Sequence, residues 1–327
     1  MKVLRKAVCA AALAAATAVS SAAADPSASK LLSEGRVDDA VSLLQRRVNS
    51  VPGDAQSYSF LCRAYDMLED WNAGVAACEK AVSLDPNNGE YHSWLGRIYG
   101  DKASHSNFLT AAHLAGKVRT EFEAAVRINP QSVDARADLA DFYLQAPGIF
   151  GGGKDKAEAQ AREIAKVDPA QAYRVTARIA EDRKDYAAAQ NDYRLAIQSS
   201  GGKAGTWLNL ARFYERRGRM DEMEDAIRRA TAPEKNRPDL LLDAAQILID
   251  RRRNPSEAAG LLRRYLSSSG TVEEAPIFRA HYLLGRILEK EGNQPEAAEQ
   301  YQAALSLAGN YVPAEDALHR LKFPAAH

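Results

Sequence analysis

Apolar and polar residues follow one another along this chain in a recurring pattern. In the segment from Trp207 to Tyr214, large apolar residues lie on either side of the small residue Ala211, and a glycine, Gly218, follows. Similar segments surround three further small residues, Gly96, Ala140 and Gly285. Because apolar residues three or four positions apart share one face of a helix, each segment predicts an amphipathic helix that ends at a turn.

This pattern has a regular period. Several segments end in Asp-Pro or Asn-Pro, at Pro86, Pro130 and Pro169, and Pro52 precedes Pro86 by 34 residues. A 34-residue period with an aromatic residue, a Leu-Gly pair, a later Ala and a final Pro is that of the tetratricopeptide repeat. The chain resembles this family over nearly the whole of residues 25–309. Its Tyr-Leu-x-Ala-Pro-Gly-Ile segment at residues 143–149 also resembles that of uncharacterised exported bacterial repeat proteins.

The family resemblance implies an all-α fold. It implies a right-handed superhelical solenoid of about eight helix-turn-helix units, with a C-terminal capping helix near residues 313–321. The units are expected at residues 25–54, 55–88, 89–132, 133–171, 172–203, 204–237, 238–273 and 274–309. Stacked helix pairs of this kind form an extended concave face, which such arrays use for binding.

The first 24 residues differ from the rest of the chain. Three basic residues precede an uncharged run from Ala7 to Val19, and Ala22-Ala23-Ala24 follows. This order of basic, apolar and small residues is typical of a cleavable signal peptide, although a buried N-terminal helix is an alternative. We therefore predict a bacterial protein, periplasmic or secreted, with a signal peptide at 1–24 and the solenoid at 25–327.

Composition and motifs argue against several classes of function. Lys plus Arg and Asp plus Glu both total 43, so the chain lacks the basic excess of a nucleic-acid-binding protein. After residue 24, no stretch approaches the roughly 18 apolar residues of a membrane span. The six histidines match no metal-motif spacing, and no catalytic serine motif is present. The sequence predicts no enzyme activity, no cofactor, no metal and no small-molecule substrate.

Two short motifs have structural explanations. Gly148 to Lys154 fits the pattern of a phosphate-binding loop, but Asp155 follows where Ser or Thr is required, and a predicted helix precedes it. We interpret this segment as a flexible turn. The run Arg251-Arg252-Arg253 falls at a helix end, where cations offset the helix dipole, so we interpret it as capping rather than as a site for an anionic partner.

Cys62 and Cys78 are the cysteines of the predicted mature chain. In the tetratricopeptide family, the corresponding positions of the two helices face each other. Export implies an oxidising compartment, so the resemblance favours a disulfide between these residues. The alternative is a pair of buried thiols that act as small hydrophobic groups.

Two units contain insertions at the turn between their helices. The third unit has about ten extra residues, Asp101 to Thr110, and the fourth has about five within Gln145 to Gly153. Because these turns share one edge of a stacked array, we expect the insertions to be neighbours. The first insertion should lengthen the following helix, which would begin after Ser106. Ile149 and Phe150 of the second would either contact a partner or cover the longer helix.

Arginines follow the small residue of the first helix in five units. The family resemblance places these residues in the concave groove: Arg63, Arg97, Arg178, Arg212 and Arg286. One hypothesis is that they bind carboxylates or carbonyls of a partner peptide. The alternative is that each arginine is occupied by neighbouring units and by its local acid three residues on, which is Asp66, Glu181, Glu215 or Glu289 in four of the units. Arg97 is followed by Gly100 at that spacing, so we predict it to be the arginine most available to a partner.

The predicted function is that of a non-catalytic protein-protein interaction scaffold in the cell envelope. The scaffold would bind a peptide segment or a protein partner in its concave groove. The alternative is an envelope assembly or secretion accessory with chaperone-like binding of client polypeptides.

Overall fold

The structure, a computed structural model, describes residues 26–232, 237–268 and 272–322. Over these ranges the chain forms 17 α-helices, one short 3₁₀ helix and no strand, apart from an isolated bridge between Val272 and Ala275. The predicted signal peptide lies outside the described residues. None of the described helices combines the length and the apolar character of a membrane span.

Sequential helices pack in pairs, α1 with α2 through α15 with α16, and α17 follows singly. This arrangement confirms the predicted all-α array of about eight helix pairs with a C-terminal helix. The helices are α1 (Pro26–Ser33), α2 (Val37–Ser50), α3 (Ala55–Met67), α4 (Trp71–Leu84), α5 (Gly89–Ser104), α6 (Phe108–Ile128), α7 (Val133–Gln145), α8 (Lys154–Ile164), α9 (Pro169–Asp182), α10 (Tyr186–Ser199), α11 (Ala204–Arg216), α12 (Met220–Ala230), α13 (Pro238–Asp250), α14 (Pro255–Leu266), α15 (Ile277–Lys290), α16 (Gln294–Leu307) and α17 (Val312–Lys322), with the 3₁₀ helix η1 (Gly148–Phe150) after α7.

Polar side chains set the start of several second helices. Asp70, Asp185 and Asn293 each accept a hydrogen bond from the backbone N–H three residues on. The residue before Asp70 is Glu69, and the residue before Asn293 is Gly292; both have positive φ angles, 62° and 82°. Glycine adopts this conformation without strain, whereas Glu69 carries a Cβ there. Lys184, which precedes Asp185, has the same conformation with φ 61°, so residues other than glycine also form this turn.

Within a unit, a small residue of the first helix packs against a large residue of the second. A Cβ added at Gly96 would lie 2.5 Å from the ring of Phe122, and one at Gly285 would lie 2.5 Å from the ring of Tyr301. These helices approach so closely because the residue is glycine. In the pair α3–α4 the same two positions are Cys62 and Cys78, which form a disulfide with their Cα atoms 5.1 Å apart. The structure therefore has the disulfide rather than two separate thiols.

The insertion of the third unit lengthens both of its helices. Helix α6 has 21 residues, whereas the second helices of the other units have 11 to 14. Its N-cap is Asn107, which accepts a hydrogen bond from the N–H of Thr110, so the helix begins after Ser106 as expected, with the cap one residue further on. The second insertion folds into η1, which packs against α6.

The two ends of the array contact each other. Phe278 of α15 and Tyr311, just before α17, are almost completely buried, and their rings meet edge to face with centroids 5.0 Å apart. Both belong to the apolar core that includes Leu32 of α1 and Val37 of α2. A Cβ added at Gly35, between α1 and α2, would lie 2.9 Å from the side chain of Ile277. The last unit therefore packs directly on the first.

Polar groups reinforce this contact between the ends. The carboxylate of Asp38 accepts a hydrogen bond of 2.6 Å from the N–H of Gly309, 271 residues away in sequence. The guanidinium of Arg63 donates two hydrogen bonds to the carboxylate of Glu273. Glu69 lies 3.7 Å from Arg279 and accepts a weak bond from Tyr311. We call this set of apolar and polar contacts the closure contact; the sequence analysis did not predict it.

Candidate functional site

Five arginines on the first helices were predicted to form a row in the groove. Three of them, Arg63, Arg97 and Arg212, are held by acids on the first helix of the following unit. Arg63 on α3 is the most enclosed, because it pairs with Glu273 as well as lying 3.8 Å from Glu90 of α5. These ion pairs link consecutive units, so the arginines stabilise the array and are less available to a partner.

Arg97 is not the available arginine that its sequence context predicted. Its Nε donates a 2.9 Å hydrogen bond to Asp138 of α7, and its guanidinium stacks on the ring of Trp94. Its partner is an acid of the next unit, which the spacing within one helix does not identify. Burial raises the pKa of Asp138 in spite of this cation.

The alternative was that neighbouring units and the local acid occupy each arginine. Acids of neighbouring units do so at Arg63, Arg97 and Arg212, whereas three of the local acids have other partners. Glu181 accepts hydrogen bonds from Arg216 and from the hydroxyl of Tyr193. Glu215 accepts one from Arg251, and Glu289 accepts one from the hydroxyl of Tyr301. The i, i+3 spacing places charges on one helix face, but in this chain side chains of adjacent helices occupy those acids instead.

The side chain of Asp66 has no hydrogen bond or ion pair within the part of the chain that the structure describes. Burial, followed by the nearby charge of Asp101, raises the pKa of this half-buried carboxyl to about 7. Glu69 adds further negative charge, and Arg279 and Arg97 oppose the shift.

Arg178 and Arg286 have no carboxylate within ion-pair distance in the described ranges. Arg286 lies over the ring of Tyr282 and lines a cavity of about 510 Å³ between the C-terminal ends of α13 and α15. Arg252 and Lys290, two exposed cations that the sequence analysis did not select, line the same cavity. We call the cavity the basic pocket; its remaining lining residues are Leu248, Ile249, Arg253, Pro255, Ile287 and Glu291.

The three consecutive arginines behave differently from one another. Arg251 donates to Glu215 and Arg253 to Glu224, so both bind acids of the preceding unit. Arg252 has a left-handed backbone, with φ 53°, and contributes to the basic pocket. The run directly follows α13, as predicted, with Arg251 at its C-cap, and two of these arginines also form inter-unit ion pairs.

The two insertions meet, as predicted, at one edge of the array. Phe108 of α6 and Phe150 of η1 line a common cavity of about 490 Å³ between α5, α6 and α7. Phe150 is half-buried there and covers the longer helix. Ile149 is 85% exposed and does not cover it. Phe108 and Leu109, which the sequence analysis treated as helix residues only, are 75% and 79% exposed.

The glycine-rich turn at 148–153 serves packing. A Cβ added at Gly152 would lie 1.7 Å from the carbonyl oxygen of Ala146, so only glycine fits. Lys154, which would contact phosphate in a nucleotide loop, pairs with Asp182 at 2.7 Å. Among the described residues, no group of three or more His, Cys, Asp and Glu side chains is placed to hold a metal ion.

Comparisons with known proteins agree with the repeat pattern. Residues 206–239 and 242–312 match family models described as tetratricopeptide repeats. A tetratricopeptide repeat protein from Parabacteroides merdae is similar in structure, with 14% identity, 90% of this chain and 96% of that chain covered, and a TM-score of 0.45. A thermophilic TPR protein from Thermus thermophilus shares 18% identity over 68% and 95% of the two chains, also with a TM-score of 0.45. No curated protein matches the sequence.

Proposed function

We propose that this chain, which belongs to the tetratricopeptide repeat family, is a non-catalytic scaffold that binds a segment of a partner polypeptide in its concave groove. Tetratricopeptide proteins bind proteins or peptides, and a row of stacked helix pairs offers an extended surface for that purpose. The partner-binding roles of the groove arginines and of Ile149 and Phe150 remain predictions. Among these arginines, Arg178 and Arg286 support the proposal best, because no carboxylate of the described chain lies within ion-pair distance of them.

The observation that carries this proposal is the pair of unoccupied guanidiniums, Arg178 and Arg286. A half-buried guanidinium without a counter-ion can contribute more binding free energy through a partner's carboxylate than Arg97 or Arg212, which already pair with Asp138 and Asp243. Arg286 also has Leu248 and Ile287 beside it, so an acidic residue next to an apolar one would fit the basic pocket.

Removal of both guanidiniums tests the proposal. Proteins captured from the native envelope by the wild-type chain would be identified, and the affinity of the purified partner would be compared with that of the Arg178→Ser/Arg286→Ser variant. We expect at least a tenfold loss, since hydrogen bonds to charged groups contribute about 1.5–3 kcal/mol each. The matched control is Arg46→Ser/Arg127→Ser, which removes two exposed arginines of second helices. Equal loss in both double variants would contradict a specific role for the groove.

Export is the second part of the proposal. It is supported by the basic, apolar and small-residue order of residues 1–24 and by the disulfide, which is typical of oxidising compartments. Fractionation of cells followed by N-terminal sequencing should find a mature chain that begins at Asp25 outside the cytoplasm. An intact Met1 in a cytoplasmic fraction would contradict it.

One observation favours the alternative role of binding many clients. Phe108, Leu109 and Ile149 are large apolar side chains that lie exposed at one edge, and such patches bind unfolded polypeptides. Crosslinking in cells separates the two roles: one stoichiometric partner supports the scaffold, whereas many unrelated partners support a chaperone-like accessory.

A further inference from the structure

The cavity between the two insertions is a second candidate binding site, separate from Arg178 and Arg286. We call it the insertion pocket; its apolar wall includes Phe108, Ala111, Ala115, Phe122, Phe142 and Phe150. Phe122 and Phe142 are almost completely buried and form a fixed floor, while Phe108 projects from the first turn of α6. A volume of about 490 Å³ lies within the range of pockets that hold ligands.

The rim of this pocket is unusually apolar for this molecule. The described chain has six exposed large apolar side chains, and the other three, Val51, Val167 and Val312, are scattered valines. Phe108, Leu109 and Ile149 belong to the two insertions that meet at the pocket. Apolar groups concentrated beside a cavity, and supplied by residues added to the repeat, are typical of an interaction surface rather than of a repeat's own packing.

The charged residues that line the pocket indicate which charge a partner should carry. Its charged lining residues are three carboxylates, Asp101, Asp138 and Asp141, and a single cation, Arg97. Arg97 bonds to Asp138, and Arg174 of α9 bonds to Asp141 at 3.0 Å. Asp101 is exposed and has no cation within ion-pair distance in the described chain. The site therefore favours a positive group and disfavours a negative one.

We propose that the insertion pocket binds a partner polypeptide segment in which a bulky apolar side chain lies next to Lys or Arg. The apolar side chain packs between Phe108 and Phe150, and the cation reaches Asp101. This site prefers the opposite charge to the basic pocket at α13 and α15, so one scaffold would hold two segments of different chemistry. The inference stands apart from the proposed role of Arg178 and Arg286.

Short extended peptides test this proposal by fluorescence anisotropy with the full mature chain. The probe contains a Phe-Lys pair, and its two counterparts replace Phe by Ser or Lys by Glu. The Phe-Lys probe should bind tightest, and Phe108→Ser/Leu109→Ser should weaken it at least tenfold, because burying each apolar side chain changes affinity by about that factor. Asp101→Asn should reduce the preference for Lys over Glu severalfold. Both variants change exposed residues, so their melting curves should match the wild type.

Two control variants separate this proposal from the preceding one. Val51→Ser/Val312→Ser removes exposed apolar side chains elsewhere and should leave the Phe-Lys probe unaffected. Arg178→Ser/Arg286→Ser should also leave it unaffected, whatever that variant does to the groove partner. If the Phe-Lys probe bound no better than its counterparts, or if Phe108→Ser/Leu109→Ser had no effect, the proposal would be wrong. Self-association of the wild type that this variant abolished would instead make a second copy the occupant and would equally overturn it.

Discussion

The closure contact and the insertion pocket both depend on residues outside the repeat pattern, yet their apolar side chains differ in exposure. At the closure contact, Phe278 and Tyr311 are at most 2% exposed, because the first unit covers them. At the insertion pocket, Phe108 and Leu109 are at least 75% exposed, because no other part of the described chain reaches them. The terminal units of a stacked array ordinarily expose their outer faces to solvent, whereas in this chain the two terminal units bury each other's apolar side chains. The edge that carries the insertions is the one left for a partner.

The largest predicted difference between the two regions is in stability. Phe278→Ala should lower the free energy of unfolding by about 4 kcal/mol, since it removes a fully buried aromatic side chain and leaves a cavity. Phe108→Ala should change it by less than about 0.5 kcal/mol, because that ring is mostly in water already. Urea unfolding followed by circular dichroism measures both. Similar losses in the two variants would contradict the comparison.

The disulfide should contribute somewhat less to the free energy of unfolding than the buried ring of Phe278. It joins the two helices whose connecting turn contains Glu69, one side of the closure contact. Replacing both Cys62 and Cys78 by Ser should lower the free energy of unfolding by about 3 kcal/mol, as expected for a closed loop of this size. Non-reducing thiol labelling of the denatured wild type should find no free thiol. Two labelled thiols, or an unchanged stability in the double variant, would show that the bond does not form.

The ion pair of the closure contact should contribute about 2 kcal/mol. Arg63→Met would leave the carboxylate of Glu273, whose side chain is 10% exposed, without its cation. Burial already raises the pKa of Glu273, and loss of Arg63 should raise it further, so the variant should regain stability as the pH falls. Adding Glu273→Gln should restore part of the loss at neutral pH. Without such a recovery, the two side chains would not be coupled.

The smallest predicted effect is a dependence of the free energy of unfolding on pH. The folded pKa of Asp66 is raised from 3.8 to about 7, so between these values the folded chain binds more protons than the unfolded chain. Stability should therefore fall as pH rises through this range, by about 1–2 kcal/mol once water around the half-buried carboxyl is taken into account. Asp66→Asn should remove this part of the slope. An unchanged slope in the variant would assign the pH dependence to other groups, such as Asp101, whose pKa burial also raises.

Periodicity was enough to predict the repeat but not the closure. The small residues Gly96 and Gly285, and the large residues Phe122 and Tyr301 that pack on them, recur at a fixed spacing, which is how the helix pairs could be predicted from one chain. The contact of Asp38 with Gly309 involves residues 271 positions apart and occurs once, so no repeated signal marks it. The contact between the ends depends on the small rotation of each unit relative to the next, summed over all units.

The candidate site was predictable to a similar extent. The family register located the five arginines, and sequence length located the insertions, but neither could assign ion-pair partners. Arg97 was expected to be available because Gly100 follows it, whereas the acid that holds it, Asp138, comes from the next helix pair. Arg252 becomes a neighbour of Arg286 and Lys290 only through the packing of α13 against α15. Pairing between units is a three-dimensional property that the spacing within one helix does not contain.

The central claim is that the two ends of the array are joined, since this contact decides which apolar surfaces remain for a partner. A Cβ added at Gly309 would lie 2.9 Å from the carboxylate of Asp38 and 3.9 Å from its Cγ, within reach of a disulfide. The double variant Asp38→Cys/Gly309→Cys should therefore form an intrachain disulfide under mild oxidation. Asp39→Cys/Gly309→Cys is the matched control, because Asp39 is directed to Arg36 instead.

Mobility on a non-reducing gel reports this cross-link, which closes a loop of 271 residues. The account predicts a compact monomeric band for nearly all of the Asp38→Cys/Gly309→Cys chain, and little of it for the Asp39→Cys/Gly309→Cys control. Free thiols or intermolecular dimers in the first variant, at the level of the control, would contradict the closure and with it the contrast between the two regions.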